Sequence, residues 1–397
     1  MHLAYEYGVK NIWIVNVGDI KPMEFPISFF LDYAWDPSKW NEDNLRSYYT
    51  NWASDQFGSK FSKDIGDLIR KYSQIAARRK PELLDANTYS PKNYQEAVTV
   101  NYELLKLTGD AARIGSALPK EYFDSYYQLV LHPLKALTNL YNLYFFAAKG
   151  LPTDVQRTYI NDSLITREYH HIANGKWNYM MSQTHIGYTS WQQPPVNKMP
   201  EVKYTSATED SMDVAILRSN SNFPKGTFSE IEKHISMEAE HWTRILNSKN
   251  IQWKVIPDIG KTGSGVTTFP VTLSASATDS PRIEYDFYTV STGEFKVDLF
   301  FSPTLNFHND EGSKFAVSID NEQPQIISLN KEDNNVRTWE KWVANNIIIK
   351  TSTHSIKVPG KHTLKYWMIS PAVILQKVVV DFGGVKPSYL GPPETRN

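Results

Sequence analysis

The chain contains no cysteine, so disulfides, thiolate metal sites and a cysteine nucleophile are all excluded. No apolar run reaches the roughly 18 residues that a membrane-spanning helix needs. Net charge is nearly absent too. Lys and Arg number 42 against 43 Asp and Glu, leaving −1, and no global field draws the chain to nucleic acid or an anionic membrane. Gly-x-Ser-x-Gly, a phosphate-binding loop, Gly-x-Gly-x-x-Gly after a strand and His-Glu-x-x-His are all missing. A serine nucleophile elbow, nucleotide use and zincin chemistry therefore have no support. The opening residues, MHLAYEYGVKNIWIVNVGD, lack the basic segment and small-residue cleavage site of a signal peptide. There is no internal repeat and no low-complexity tract.

What remains is a well-patterned globular chain. With 397 residues, at about one domain per 150, two or three domains are expected. Hydrophobic residues make up 41% and charged residues 21%, a globular balance. The 11 Trp and 23 Tyr suit the apolar faces of sugars, and they suit a large β core equally well.

Along the chain, residues 2–7 read as the end of a helix stopped by Gly8. Residues 11–17, NIWIVNV, have the β-branched, continuously apolar pattern of a strand buried on both faces of a parallel sheet. The aromatic segment MEFPISFFLDYAW is expected to pack against that sheet. Apolar residues at three- and four-residue spacing predict helices over 41–57, 61–80, 91–107, 119–148 and 152–173. Pro119 suits the first turn of the long one, and Pro133 is expected to kink it. Its stripe Tyr122, Tyr126, Leu129, Leu137, Leu140 and Tyr144 looks like a bundle core. WQQPPVNKMP reads as a linker, and short β-rich runs follow it. Turn residues at 291–294 and 359–361 predict two hairpins. The spacing of these runs predicts an antiparallel β-sandwich or jelly roll.

Three constellations could carry chemistry. Asn16, Asp19, Lys21 and Glu24 cluster just after the 11–17 strand. In a barrel of parallel strands that end faces the active site. Lys21 could neutralise a substrate carboxylate, and Asn16 could bond sugar hydroxyls. A loop whose polar groups cap one another explains them as well. Glycosidases use two flanking carboxyl groups, for which Asp19 and Glu24 are candidates, although both lie on one short loop. The second constellation, 169–191, holds His170, His171, His185, Tyr188 and Trp191. Adjacent His170 and His171 point apart on a helix and make a poor metal pair. His185 is a candidate substrate contact, with junction packing as the alternative. The third is Glu238 and Glu240, placed by alternation on one strand face. With Asp381 they are candidate ligands for a structural Ca²⁺, against the alternative of a solvated face. No other cofactor is suggested. Asn161-Asp162-Ser163 is a sequon, but it falls in a helix.

Several long segments resemble glycoside hydrolase family 115 along the whole chain. HLAYEYGVKNIWIVNVGDIKPMEFPISFFLDYAW is similar to the family's barrel segment, and HIGYTSWQQPPVNKMP to its join between helical and β domains. MEAEHWTR, WKVIPDIGKTGSGVTTFP, FSPTLNF and VVVDFGGVKPSYLGPPE resemble its C-terminal domain. The resemblance implies a multidomain α+β chain. Residues 1–35 are expected to be the last part of a (β/α)8-type catalytic barrel, 36–195 a helical bundle and 196–397 a jelly-roll-like β-sandwich. It implies an α-glucuronidase that releases α-1,2-linked glucuronic acid, or its 4-O-methyl ether, from glucuronoxylan with inversion. It further implies a homodimer and a secreted or periplasmic location. The Asn16–Glu24 loop becomes part of the glucuronosyl pocket wall. The family's catalytic carboxylates have no matching positions, and the expectation is a fragment whose acid and base lie upstream. The competing reading is a non-catalytic carbohydrate-binding or partner module, for which Trp242, Trp253, Trp339 and Trp342 are candidate platforms.

Overall fold

The computed structural model describes residues 1–190, 192–202, 223–275, 281–307, 311–332 and 335–397. It divides into two compact units, Ile12–Val214 and Met1–Asn11 with Ala215–Asn397.

The first unit is helical. Its helices are α2 (Glu24–Trp35), α3 (Leu45–Phe57), α4 (Ser62–Arg78), α5 (Glu96–Ala117), α7 (His132–Ala148) and α8 (Pro152–Gly175), of which all but α2 fall in the periodic segments of the sequence. Short α1, His2–Glu6, belongs to the other unit, and four-residue α6, Phe123–Tyr126, leads towards α7. On α4, Ile65, Leu68, Ile69 and Ile75 fall on one stripe and are buried. Ile65, Leu68 and Ile69 pack with Tyr48, Trp52 and Phe57 of α3 and with Ile114 and Tyr126. Gly66 makes the α3–α4 crossing possible: a Cβ there would lie 3.0 Å from the backbone of Tyr49 and Thr50. The 23–35 segment differs from expectation. It forms α2, and Phe25, Phe29 and Tyr33 pack on α3 aromatics, with Phe29 4.9 Å edge-on from Tyr48. It is a helix in the helical core, its aromatic side chains packed on other helices.

Residues 11–17 also depart from expectation, because no strand forms there. Ile12 is 74% and Ile14 90% exposed, while Trp13 between them stacks on Tyr33 at 5.9 Å. A strand needs a neighbour for its N–H and C=O groups. Among the described residues no strand runs alongside this segment, so β propensity alone leaves it irregular.

The second unit is a two-sheet sandwich. Its strands are β1 (Phe228–Ser229), β2 (His234–Glu238), β3 (Arg244–Leu246), β4 (Gln252–Ile256), β5 (Gly265–Phe269) and β6 (Arg282–Thr289). They continue with β7 (Gly293–Phe301), β8 (Lys314–Ile319), β9 (Gln325–Ser328), β10 (Ile348–Ile356), β11 (Gly360–Met368) and β12 (Leu375–Asp381). One sheet runs β1-β6-β11-β8-β9, with β3 also on β6. The other runs β10-β7-β12-β5-β4, with β2 on β12. Only the short β1–β6 ladder is parallel among the described residues. Alternation builds the core. In β7, Phe295, Val297, Leu299 and Phe301 turn inward while Lys296 and Asp298 turn out. Phe301 meets Phe315 of the opposite sheet at 4.6 Å.

Neither expected hairpin exists. β6 and β7 lie in different sheets, as do β10 and β11, so the turns at 291–294 and 359–361 are arches between sheets. Turn residues mark a reversal of the chain but do not choose between reversal within a sheet and across the sandwich. Buried Glu230 holds the first arch, accepting the N–H of Val290 at 2.9 Å and of Ser291 at 2.8 Å. Helix α9, Val336–Asn345, is capped by Asn335, whose side chain accepts the Thr338 N–H.

Candidate functional site

The loop after residues 11–17 closes on itself and then on the bundle. Asn16 Oδ1 accepts the N–H of Gly18 at 3.1 Å, which fixes the turn, and Gly18 takes φ +66°. Asn16 and Asp19 are exposed. Lys21 Nζ donates to Glu24 Oε1 at 2.5 Å, and Gln128 Nε2 donates to the same oxygen at 2.7 Å. Glu24 Oε2 is buried without a hydrogen-bond partner among the described residues. The Lys21 ammonium sits 4.3 Å from the centre of the Trp177 ring, and Lys176 lies 4.8 Å from it. The structure thus joins the 16–24 and 169–191 constellations through Lys21 and Trp177.

Gln128 reaches Glu24 because of Pro133. Proline has no N–H to give the carbonyl four residues back, and its ring crowds that carbonyl. The backbone responds with a π-helical stretch, Tyr127–Leu131, just before α7. The expected kink is therefore a π-turn. It buries Tyr127, Gln128 and His132, and the His132 ring lies 4.6 Å from that of Tyr169 on α8. The Tyr169 hydroxyl and His132 Nδ1 have no hydrogen-bond partner among the described residues. Burial pushes the Tyr169 phenol up to about 12, with the Glu24 charge adding to it. Burial, helped by Lys135, drives His132 down to about 4. Both are buried and neutral at pH 7, and Trp177 packs against the buried cluster that holds Tyr169. The Glu24 carboxylate has one oxygen held by two donors and the other uncommitted.

His185 is held within its own segment of the fold. Its Nε2 lies 2.9 Å from Asp162 Oδ1 and its Nδ1 2.8 Å from the Gln183 carbonyl. Burial opposes its charged form, but the hydrogen bond and charge of Asp162 and the Gln183 carbonyl outweigh it, so its pKa lies above the ordinary value. Asn197 Oδ1 accepts the N–H groups of His185 and Ile186, at 2.7 and 3.0 Å. His170 and His171 do point apart, the first to the Met181 N–H and the second to the Arg167 carbonyl. Asn161 donates to Asn139. Tyr188 is half-buried, and Trp191 lies outside the described residues.

Glu238 and Glu240 do converge, since a Cβ on Gly263 would lie 2.8 Å from Glu240 Oε1 and 3.0 Å from Glu238 Oε2. Asp381 does not join them. It pairs with His234, four residues along β12 from the Lys377–Glu238 pair, and accepts the N–H groups of Gly383, Gly384 and Val385. Glu238 Oε1 instead takes the buried Lys377 ammonium at 3.1 Å and the Thr262 hydroxyl at 2.6 Å. Lys377 supplies the charge expected of Ca²⁺, and Glu240 accepts the Ser264 N–H. Among the described residues no three His, Asp or Glu side chains are grouped to hold a metal ion. Of the tryptophans, Trp253 is core, Trp242 and Trp342 pack partly against it, and Trp339 is half-buried. Among the described residues no helix is long and apolar enough to cross a membrane.

The sequence reading missed Gln128 and His132, and it held Trp177 in the 169–191 constellation without giving it a role. The available signal was polar Gln128 and His132 beside a proline within one helical pattern.

The glycosyl hydrolase family 115 model matches residues 1–83, and the family 115 C-terminal domain model matches residues 227–394, together more than half of the chain. A solved family GH115 4-O-methyl-α-glucuronidase with specificity for decorated arabinogalactans superposes with a TM-score of 0.74 at 20% identity. That match covers 95% of this chain and 46% of the other, so the chain spans about half the length of that relative. An exo-β-1,3-galactanase from Phanerochaete chrysosporium matches at TM-score 0.26 and 14% identity over 38% of this chain and 30% of its own. A family 35 carbohydrate-binding module from Clostridium thermocellum matches at TM-score 0.27 and 10% identity over 37% and 97%. No curated protein matches the chain. With both family models matched in their own regions and the fold shared over nearly its full length, the chain belongs to glycosyl hydrolase family 115.

Proposed function

We propose that this chain serves a glycoside hydrolase that releases α-1,2-linked glucuronic acid, or its 4-O-methyl ether, from glucuronoxylan. Family membership supports the reaction class. The observation that carries the substrate reading is Lys21, an ammonium seated on the Trp177 ring and steered by Glu24. An ammonium beside an indole suits a uronate, whose carboxylate meets the charge while the apolar sugar face meets the ring. Asn16 and Asp19, exposed on the same loop, offer bonds to hydroxyls. Glu24 is a positioning residue here, because one oxygen is held by Lys21 and Gln128. Asp19 and Glu24 share one loop, so the acid and base are assigned to neither, and the chain acts as a fragment of the full machinery. A secreted or periplasmic location and a homodimer accompany this reading, since polymeric xylan lies outside cells.

The test is titration of the folded 397-residue chain with glucuronic acid and glucuronoxylo-oligosaccharides, alongside assays of glucuronic acid release from glucuronoxylan and from decorated arabinogalactan. The expected result is uronate binding that weakens at least about tenfold in Lys21→Met, the loss of one desolvated charge contact. Equal binding of neutral xylo-oligosaccharides, or binding indifferent to Lys21→Met, would overturn the substrate reading. Release that is abolished by Asp19→Asn or Glu24→Gln would overturn the assignment of the carboxyl groups elsewhere.

A further inference from the structure

The chain leaves α8 through left-handed backbone. Ala173, Asn174 and Gly175 take φ +49°, +56° and +79°, and further along the same turn Tyr179 takes φ +67°. Glycine and asparagine adopt that region readily, whereas a tyrosine does so against the crowding of its Cβ by its own carbonyl. Local bonds hold it there. Asn178 Oδ1 accepts the Tyr179 N–H at 3.0 Å, the Met180 N–H donates to the Trp177 carbonyl at 3.2 Å, and the Met181 N–H donates to His170 Nε2 at 3.1 Å. The strained residue is not buried. Tyr179 is 76% exposed, and its ring contact among the described residues is with His170, 6.2 Å away. Trp177, two residues before it, is the opposite case: half-buried, it packs against the cluster of Tyr127, Tyr169 and Ile172. The Lys21 ammonium lies 4.3 Å from the centre of that indole. Cα atoms two residues apart are separated by no more than about 7 Å, a step that two linked sugars span.

We propose that Tyr179 is a specificity-determining sugar shelf. Its ring takes the apolar face of a neutral pyranose joined to the uronate that Lys21 and Trp177 receive, so it favours a decorated oligosaccharide over the free acid. The inference rests on the proposed function for the identity of that neighbouring uronate. Backbone strain gathers at ligand clamps, where the surrounding structure over-determines it. Here the strain presents a large ring to solvent beside a ring that the fold has fixed, and a packing role does not account for that. A tyrosine offers a broad, rigid contact face with only two side-chain torsions to immobilise, and its hydroxyl can donate to or accept from a sugar hydroxyl. Tyr179 carries no charge at pH 7, so it acts on the neutral part of the ligand and needs no carboxylate of its own.

The test is calorimetric titration of the full 397-residue chain with glucuronic acid and with a glucuronoxylo-oligosaccharide, on the parent, Tyr179→Gly and Tyr179→Phe, with thermal unfolding of each. Tyr179→Gly is expected to weaken oligosaccharide binding about threefold to tenfold, the loss of one ring contact, and to leave glucuronic acid within about twofold. Its Tm is expected to hold or rise, because glycine adopts the left-handed region freely. Tyr179→Phe keeps the ring and is expected to keep most of the oligosaccharide affinity. A packing role would instead lower Tm and affinity together. Oligosaccharide affinity indifferent to Tyr179→Gly, a Tm that falls in that variant, or an equal loss for the free acid would overturn the proposal. The two readings fail separately. Glucuronic acid that binds through Lys21 while Tyr179→Gly changes nothing leaves the proposed function standing and removes the shelf. Oligosaccharide binding that depends on Tyr179 and is indifferent to Lys21→Met does the reverse.

Discussion

Replacing Arg244 by Met should strip the β-sandwich of the cation that joins its most concentrated charge network. Arg244 on β3 donates to Glu284 at 2.8 Å and in a bidentate pair to Asp286, both contacts at 2.7 Å. The Glu284 and Asp286 side chains are only 7% and 9% exposed. Arg282 also bonds Glu284 at 2.7 Å, and Lys361 and Thr363 bond Asp286, each at 2.8 Å. Removing one partner of a buried pair costs about 3–5 kcal/mol, and the remaining donors and half-exposed Arg244 bring that to about 2–3 kcal/mol. For a unit of this size, about 2–4 °C per kcal/mol gives a fall in Tm of roughly 4–12 °C. The pH dependence is the sharper check. Burial opposes the charge of Asp286, but the bonds from Arg244, Lys361 and Thr363 outweigh it and hold its carboxyl at about 2, below the ordinary 3.8. A depressed acid contributes stability that is present above its unfolded pKa and is lost as pH falls through the folded value. The shift corresponds to about 2 kcal/mol unscreened and about 1 kcal/mol with solvent screening. Thermal unfolding of parent and Arg244→Met at pH 7 and at pH 2.5 should therefore show a gap that narrows in acid. A fall of under about 2 °C at pH 7, or the same gap at both pH values, would refute the argument and leave Arg244 with a packing role only.

Lys377→Met should cost about 3–5 kcal/mol, because it leaves the Glu238 carboxylate without its buried ammonium, and EDTA should leave the Tm of the parent protein unchanged. Asp162→Asn should lower the pKa of His185, followed by its imidazole proton shifts in NMR. The raised pKa of His185 contributes stability that is complete below the ordinary 6.5 and fades as pH rises through the folded value, so the variant should lose stability at pH 5.5 but little at pH 9. Gln128→Leu should cost about 1–2 kcal/mol in chemical denaturation of the helical unit, since Glu24 Oε1 then keeps Lys21 alone. Gly66→Val should destabilise the same unit by about 2–3 kcal/mol, as its added carbons meet the α3 backbone.

The helices of the bundle and the strands of the sandwich were legible in the sequence because their signals are local. Apolar spacing on α4 and alternation along β7 are set by residues within a few positions of one another. Arches and hairpins share the same turn chemistry, so which sheet each strand joined after residues 291 and 359 was not legible. The 11–17 run shows the limit from the other side: its β-branched residues favour extended backbone, but a ladder is a property of two strands. The candidate site was half legible. Asn16, Asp19, Lys21 and Glu24 stood out as a cluster, and their chemistry followed from residue type. That Glu24 would be held by Gln128, 104 residues away, depended on a π-turn that Pro133 forces and on how α7 packs against α8. Likewise Glu238 and Glu240 converge as the sequence suggested, but Glu240 does so from the turn after β2 and not from its face, and only the register of β12 decided that Lys377, not Asp381, would meet Glu238. Sequence by itself determined most of the helices and strands, the family and the polar loop, because these are written in short-range order. Tertiary structure alone decided which charges met, because burial and register are set by segments far apart in the chain.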